Sequence, residues 1–219
     1  MADSVPHSRL TSQARRGSVL VVRQMSTTPK SGEISEKDRV AYEAFIDDFA
    51  RESDRAAVVL GAAKLDLQLY QILQKVLLPN PSATDDLLDS DAPLSTFSAR
   101  INLCYRLGLI DRALTRTLHL IRRIRNSFAH EISGSDLASG AHRDRIKELI
   151  APFIGVEDYE LYKKTNREKW KFEEGPRLDF RIVLAVAGAR LESYYFRAEK
   201  CHHDAPWPLI PKQWENKNV

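Results

Sequence analysis

Arg125, Asn126 and His130 stand together in "RIRNSFAH", residues 123–130. These types suit two kinds of work. A guanidinium steadies an anion, and an imidazole moves a proton near neutral pH. A guanidinium turned into a core needs a carboxylate or several carbonyl oxygens instead, because an unpaired internal charge is very costly. Leu114, Leu118, Ile121, Arg125 and Phe128 follow i, i+4, i+7, i+11 and i+14, which gives Arg125 a place in an apolar stripe. Asp66 has the matching place on an upstream apolar helix. The spacing predicts that Asp66 and Arg125 meet across a packed helix pair, with two parallel N–H···O bonds open to them. Arg55 and Glu52 compete for those partners, and Arg100 in "STFSAR" is a further candidate for the cluster. Asn126 and His130, four apart, share the adjacent face. Their structural roles would be a backbone bond near the helix end for Asn126 and a contact with the C-terminal dipole for His130.

The elements that must position these groups read as helices throughout. "SEKD" offers Ser35 as an N-cap with Glu36 and Asp38 in the first turn. A second, longest helix is expected from Ser53 or Asp54 to Leu78, ending before "PNPS". Lys64, Gln68, Gln71 and Lys75 form its polar stripe, and Val59, Ala62, Ala63, Tyr70, Leu73 and Leu77 its apolar side. Residues 79–94 are a polar, acidic connection with one helical turn at 84–89. A third helix follows from Thr96 to Leu107, with Ser95 as N-cap and Gly108 as the C′ residue. The fourth runs from Asp111 to Ala129 or His130, the fifth over 141–151, and a long buried one over 177–199. Residues 154–175 are charged and weakly patterned. No strand alternation stands out, and no repeat of 20–50 residues appears.

The 219 residues, 43% hydrophobic and 29% charged, describe an ordinary globular chain. No run of about 18 apolar residues appears, so no membrane span is expected. Cys104 and Cys201 make no disulfide framework, which fits a reducing, cytoplasmic setting. The net charge of +3 is concentrated at the start. There Arg9, Arg15, Arg16, Arg23 and Lys30 face Asp3 alone, so the rest of the chain is near neutral and poorly suited to broad capture of a nucleic-acid backbone. Residues 1–33 read as a disordered basic tail, with Met25 as an alternative start that would leave residues 1–24 outside the native protein. Residues 34–199 read as one helical domain, and 200–219 as a Pro-rich tail that docks Trp207 and Trp214. Arg116 and Arg123 share a face with His119 and His130, which reads either as a phosphate-binding stripe or as a solvated face bridging to the acidic 85–91 loop. Cys201-His202-His203 lacks a second ligand pair at usable spacing, so no metal is expected, and no cofactor motif is present.

"PLSTFSARINLCYRLGLI" (93–110), then "IRRIRNSFAH" (121–130), with "DRAAVVLGAAKLDLQLYQIL" (54–73) ahead of them, resemble the ordered segments of the mannitol operon repressor (MltR) family. The resemblance covers roughly residues 38–155. It implies an all-helical transcriptional regulator that acts through protein partners, since no helix-turn-helix with a basic recognition helix is present. The implied partner belongs to a sugar or sugar-alcohol uptake system, and homodimerisation follows by the same analogy. Arg125-x-x-x-x-His130 also resembles the R-x4–6-H motif of HEPN domains, many of them dimeric ribonucleases. That resemblance implies Arg125 on the phosphate and His130 as general acid or base. The two lie about 140° apart around a regular helix, so one face presents both only if the helix end unwinds.

The expectation is therefore an all-α bundle of five to six helices, with the second and fourth antiparallel at its centre. Asp66, Arg100, Arg125, Asn126 and His130 form a polar cluster that fixes packing or borders a partner surface. The function is regulatory and non-enzymatic, with a metal-independent ribonuclease using Arg125 and His130 as the alternative.

Overall fold

The computed structural model describes residues 36–80, 84–89, 91–131 and 136–201. The expected basic tail, the Ser35 cap and the segment holding Trp207 and Trp214 lie outside them. Within them the chain is all-helical: α1 (Glu36–Phe49), α2 (Asp54–Val76), α3 (Phe97–Arg106), α4 (Arg112–His130), α5 (Gly140–Ile150), α6 (Glu157–Trp170) and α7 (Pro176–Arg197), with a 3₁₀ turn at Ala151–Phe153. No strand occurs among the described residues.

Side-chain caps set the helix starts. Ser53 accepts from the Ala56 N–H at 3.2 Å and opens α2. Asp111 accepts from Leu114 N–H at 2.7 Å and opens α4. α3 is capped by Thr96, which accepts from Ala99 N–H at 3.2 Å, one residue after the expected Ser95. Its end follows the anticipated form: Gly108 takes φ +71°, and the N–H groups of Gly108 and Leu109 return to the carbonyls of Tyr105 and Cys104. Residues 84–89 hold the expected helical turn: Asp89 N–H donates to Asp85 O at 3.1 Å, and the Asp85 carboxylate accepts from the N–H groups of Leu87 and Leu88.

α6 lies where the sequence showed no pattern. Only Tyr159 and Asn166 of its fourteen residues are buried, so it carries almost no apolar stripe. Two polar bonds hold it instead: Asn166 Nδ2 donates to the Tyr42 hydroxyl and Tyr159 OH donates to Asp179 Oδ1, both at 2.7 Å. The Tyr42 and Tyr162 rings stack at 4.2 Å.

α2 and α4 pack together, and Arg55 at the start of α2 bonds carbonyls at the end of α4, so the two run antiparallel. α7 is more than an outer layer. It packs on α1, α2, α4, α5 and α6, and is buried continuously from Leu178 to Ala185. Two glycines let it come close. A Cβ on Gly188 would meet the Phe45 ring at 2.2 Å, and one on Gly61 would meet Leu184 at 2.3 Å.

The polar stripe of α2 also has a different use from the expected one. Gln68 Nε2 donates to Gly188 O at 3.1 Å, Lys75 Nζ donates to Tyr195 O at 2.6 Å, and Lys64 pairs with Asp48 over the Phe45 ring. These side chains clasp α1 and α7. By length and composition α2 could cross a membrane, yet here it is a bundle helix with 44% of its most apolar stretch buried.

Candidate functional site

α2, α3 and α4 position the cluster residues. Asp66 on α2 is taken by α3: Arg100 Nη1 donates to its Oδ1 at 2.8 Å, with the two side chains 21% and 13% exposed. The Arg100 guanidinium also lies 5.1 Å from the centroid of the Tyr70 ring, a cation–π contact. Its buried Nε has no partner.

Arg125 is half-buried, and its Nη1 donates to Asn126 Oδ1 at 3.0 Å. No carboxylate among the described residues pairs with it, so the expected Asp66–Arg125 bridge does not form. The reason lies in the arc that α4 buries. Leu114, Leu118, Ile121, Ile124 and Phe128 face the core, and Ile124 takes the place that spacing had given Arg125. Arg125 sits at the edge of that arc, only half-buried, with the Asn126 amide oxygen as its partner.

His130 is the last residue of α4 and is exposed. The helix runs unbroken through it, so Arg125 and His130 stay about 140° apart around the axis. The five residues thus divide into an Asp66–Arg100 pair, an Arg125–Asn126 pair and a solvent-facing His130.

The end of α4 is tied down by neighbours that spacing did not indicate. Arg55 Nη2 donates to Phe128 O at 2.6 Å and to Glu131 O, satisfying carbonyls that a helix end leaves open. His142 of α5 is buried, with Nε2 at 2.9 and 3.0 Å from the Glu131 carboxylate oxygens and its ring 4.4 Å from that of Phe128. Arg145 Nη1 donates to Ser127 Oγ at 2.9 Å.

The cation that does turn fully inward is Arg181 on α7, 3% exposed. Its Nη1 donates to Asp54 Oδ1 at 3.2 Å and to Arg177 O at 3.1 Å, its Nε to Phe49 O at 3.2 Å, and its Nη2 to Glu52 O at 2.7 Å. Asp54 Oδ2 accepts from Arg177 Nε at 3.0 Å and from Leu137 N–H at 3.3 Å. Burial pulls the Arg181 guanidinium below its ordinary range, and the Asp54 carboxylate works against that pull. The rule that an inward cation finds an acid on a neighbouring helix holds here, at a pair that spacing does not indicate. Arg181 interrupting "LDFRIVLAVAG" was the available signal.

No family model, curated protein or solved structure matches the chain. The chemistry must be judged from these side chains. Among the described residues, no group of three or more His, Cys, Asp or Glu could hold a metal ion. His202 and His203 lie outside the described residues. Cys104 is buried and its thiol is pushed up to about 12, which keeps it out of thiolate chemistry. On the basic face of α4, Arg116 pairs with Glu148 of α5 at 3.2 Å rather than with the 85–91 loop. His119 Nε2 lies 3.1 Å from Asn102 Oδ1, and burial, then Arg122 and Arg123, hold its pKa below the ordinary imidazole value.

Proposed function

We propose that the chain is a cytoplasmic regulatory protein of the kind its MltR resemblance implies, working through protein contacts and without catalysis of its own. The observation that carries this is one face of α2. Leu60, Ala63, Leu67, Gln71 and Gln74 are all exposed. They lie within an arc of about 80°. Leu60 and Leu67 are each 52% exposed. In a chain that is 29% charged, this face carries no charge, whereas an ordinary solvated helix face does.

The occupant that fits is a second copy. A two-fold interface sets the same patch on both sides, and an uncharged patch meets itself without like-charge repulsion. From Leu60 to Gln74 the face is about 21 Å long and about 10 Å wide, so it offers on the order of 200 Å². A standard interface uses about 800 Å² per partner, so the dimer is weak and concentration-dependent. The control of sugar or sugar-alcohol uptake through a further protein partner rests on the resemblance alone. Light scattering across a concentration series tests the contact reading: the mass should rise from 24.9 kDa toward twice that value. A mass flat to the solubility limit contradicts it.

A metal-independent ribonuclease is the second reading. It is favoured by Arg125 lacking a carboxylate and by His130 being exposed with no hydrogen-bond partner among the described residues. It is disfavoured by the continuous helix that separates them. Single-stranded RNA incubated without metal should stay intact. Cleavage by the wild type that is lost in both Arg125→Ala and His130→Ala would replace the non-enzymatic reading.

A further inference from the structure

A cavity of about 170 Å³ opens between α1, α6, α7 and the 3₁₀ turn. Its walls are the rings of Tyr42, Phe153, Tyr159 and Tyr162, with Val186 and Ala189 behind them. The hydroxyls of Tyr42 and Tyr159 are already engaged, by Asn166 and Asp179. The walls therefore offer mainly carbon to an occupant. The size suits one ring or a branched alkyl group, since an apolar cavity of about 150 Å³ holds benzene.

Two opposite charges complete the lining. Arg190 of α7 is exposed, and Asp158 of α6 is half-buried. Neither side chain has an ion-pair or hydrogen-bond partner among the described residues, and they do not bridge to each other. An acid in the first turn of α6 also has a local explanation in the helix dipole. That explanation accounts for neither the cavity nor an unpaired cation beside it. Arg190 and Asp158 each have a free charge to offer, and the space they share is apolar.

We propose that this cavity binds a free α-amino acid with an apolar side chain, its carboxylate on Arg190, its ammonium on Asp158 and its side chain among the four rings. The fork of a guanidinium matches a carboxylate geometrically, and charge-assisted hydrogen bonds are the strong ones. A ligand with both charges fits the pair of unpartnered groups, and a ligand with one leaves the other unanswered. This site is on a different surface from the α2 face and does not depend on it.

Isothermal titration of the full chain tests the proposal. The ligands are L-phenylalanine, L-leucine, 3-phenylpropionate and phenethylamine. The two amino acids should bind, and the singly charged analogues should bind about tenfold more weakly or worse, the size of one lost charge-assisted contact. Arg190→Gln and Asp158→Asn, both outside the core, should each weaken L-phenylalanine to a similar degree; the thermal midpoint of free Arg190→Gln should hold, and that of Asp158→Asn should fall only by the small loss of a first-turn acid. Val186→Phe should fill the cavity and abolish binding. No heat with either amino acid would overturn the proposal. So would 3-phenylpropionate binding as tightly as L-phenylalanine, or undiminished binding by the Val186→Phe protein.

Discussion

Asp54 answers a cation that water cannot reach, whereas Asp66 answers one at the edge of the core. Arg181 is 3% exposed and Asp54's side chain 12%, against 13% and 21% for Arg100 and Asp66. Removing one partner of a buried pair strands the other, at about 3 kcal/mol or more. Asp54→Ala should therefore lower unfolding free energy in urea by about 3 kcal/mol, and Asp66→Ala by about 1 kcal/mol, closer to a partly exposed pair. Equal losses would show that the Asp54 site is not the demanding one. His119 supplies a pH signature. Its pKa is lower folded than unfolded, so the unfolded chain binds more protons below about pH 6.5 and stability falls as pH drops through that value. His119→Gln should flatten the stability profile below about pH 6.5. An unchanged slope would remove His119 as its source.

At the scale of the elements, α7 depends on two glycines for its close approach. Gly188→Ala drives a methyl into the buried Phe45 ring, which is held between α1 and α7 and has little room to give. The expected loss is about 1–3 kcal/mol, the range for overpacked cores. Gly61→Ala meets the flexible end of Leu184 and should cost less. A greater loss for Gly61→Ala in thermal unfolding would contradict this picture of the α1–α7 contact.

The same scale explains what could be read from residue order. Helix starts were legible at Ser53 and Asp111, where the cap chemistry is local. The end of α3 was legible too, because Gly108 supplies a backbone conformation that other residues rarely adopt. α6 was not legible, because its hold on the body is a few polar bonds and stacked rings rather than a periodic apolar stripe. The solvent side of α2 was misplaced for a related reason. Lys64, Gln68 and Lys75 are polar in type but long enough to reach around and clasp α1 and α7, and type alone does not say which way a side chain reaches. The stripe places Arg125 in a buried pair, and a shift of the buried arc to Ile124 is enough to leave it at the edge.

Among the described residues, the helices spend their strongest polar bonds on packing, and α2 leaves an uncharged face outward. A charge placed on that face should abolish self-association while leaving the fold intact, because the positions are exposed in the single chain. The most direct measurement is sedimentation equilibrium of three proteins at matched concentrations: the wild type, the double variant Leu60→Glu/Leu67→Glu, and a control, Val40→Glu, at an exposed apolar position on α1. The account predicts a concentration-dependent dimer for the wild type and the control, and a monomer of native circular dichroism for the double variant. A double variant that still dimerises like the wild type, or a wild type that stays monomeric throughout, would contradict it.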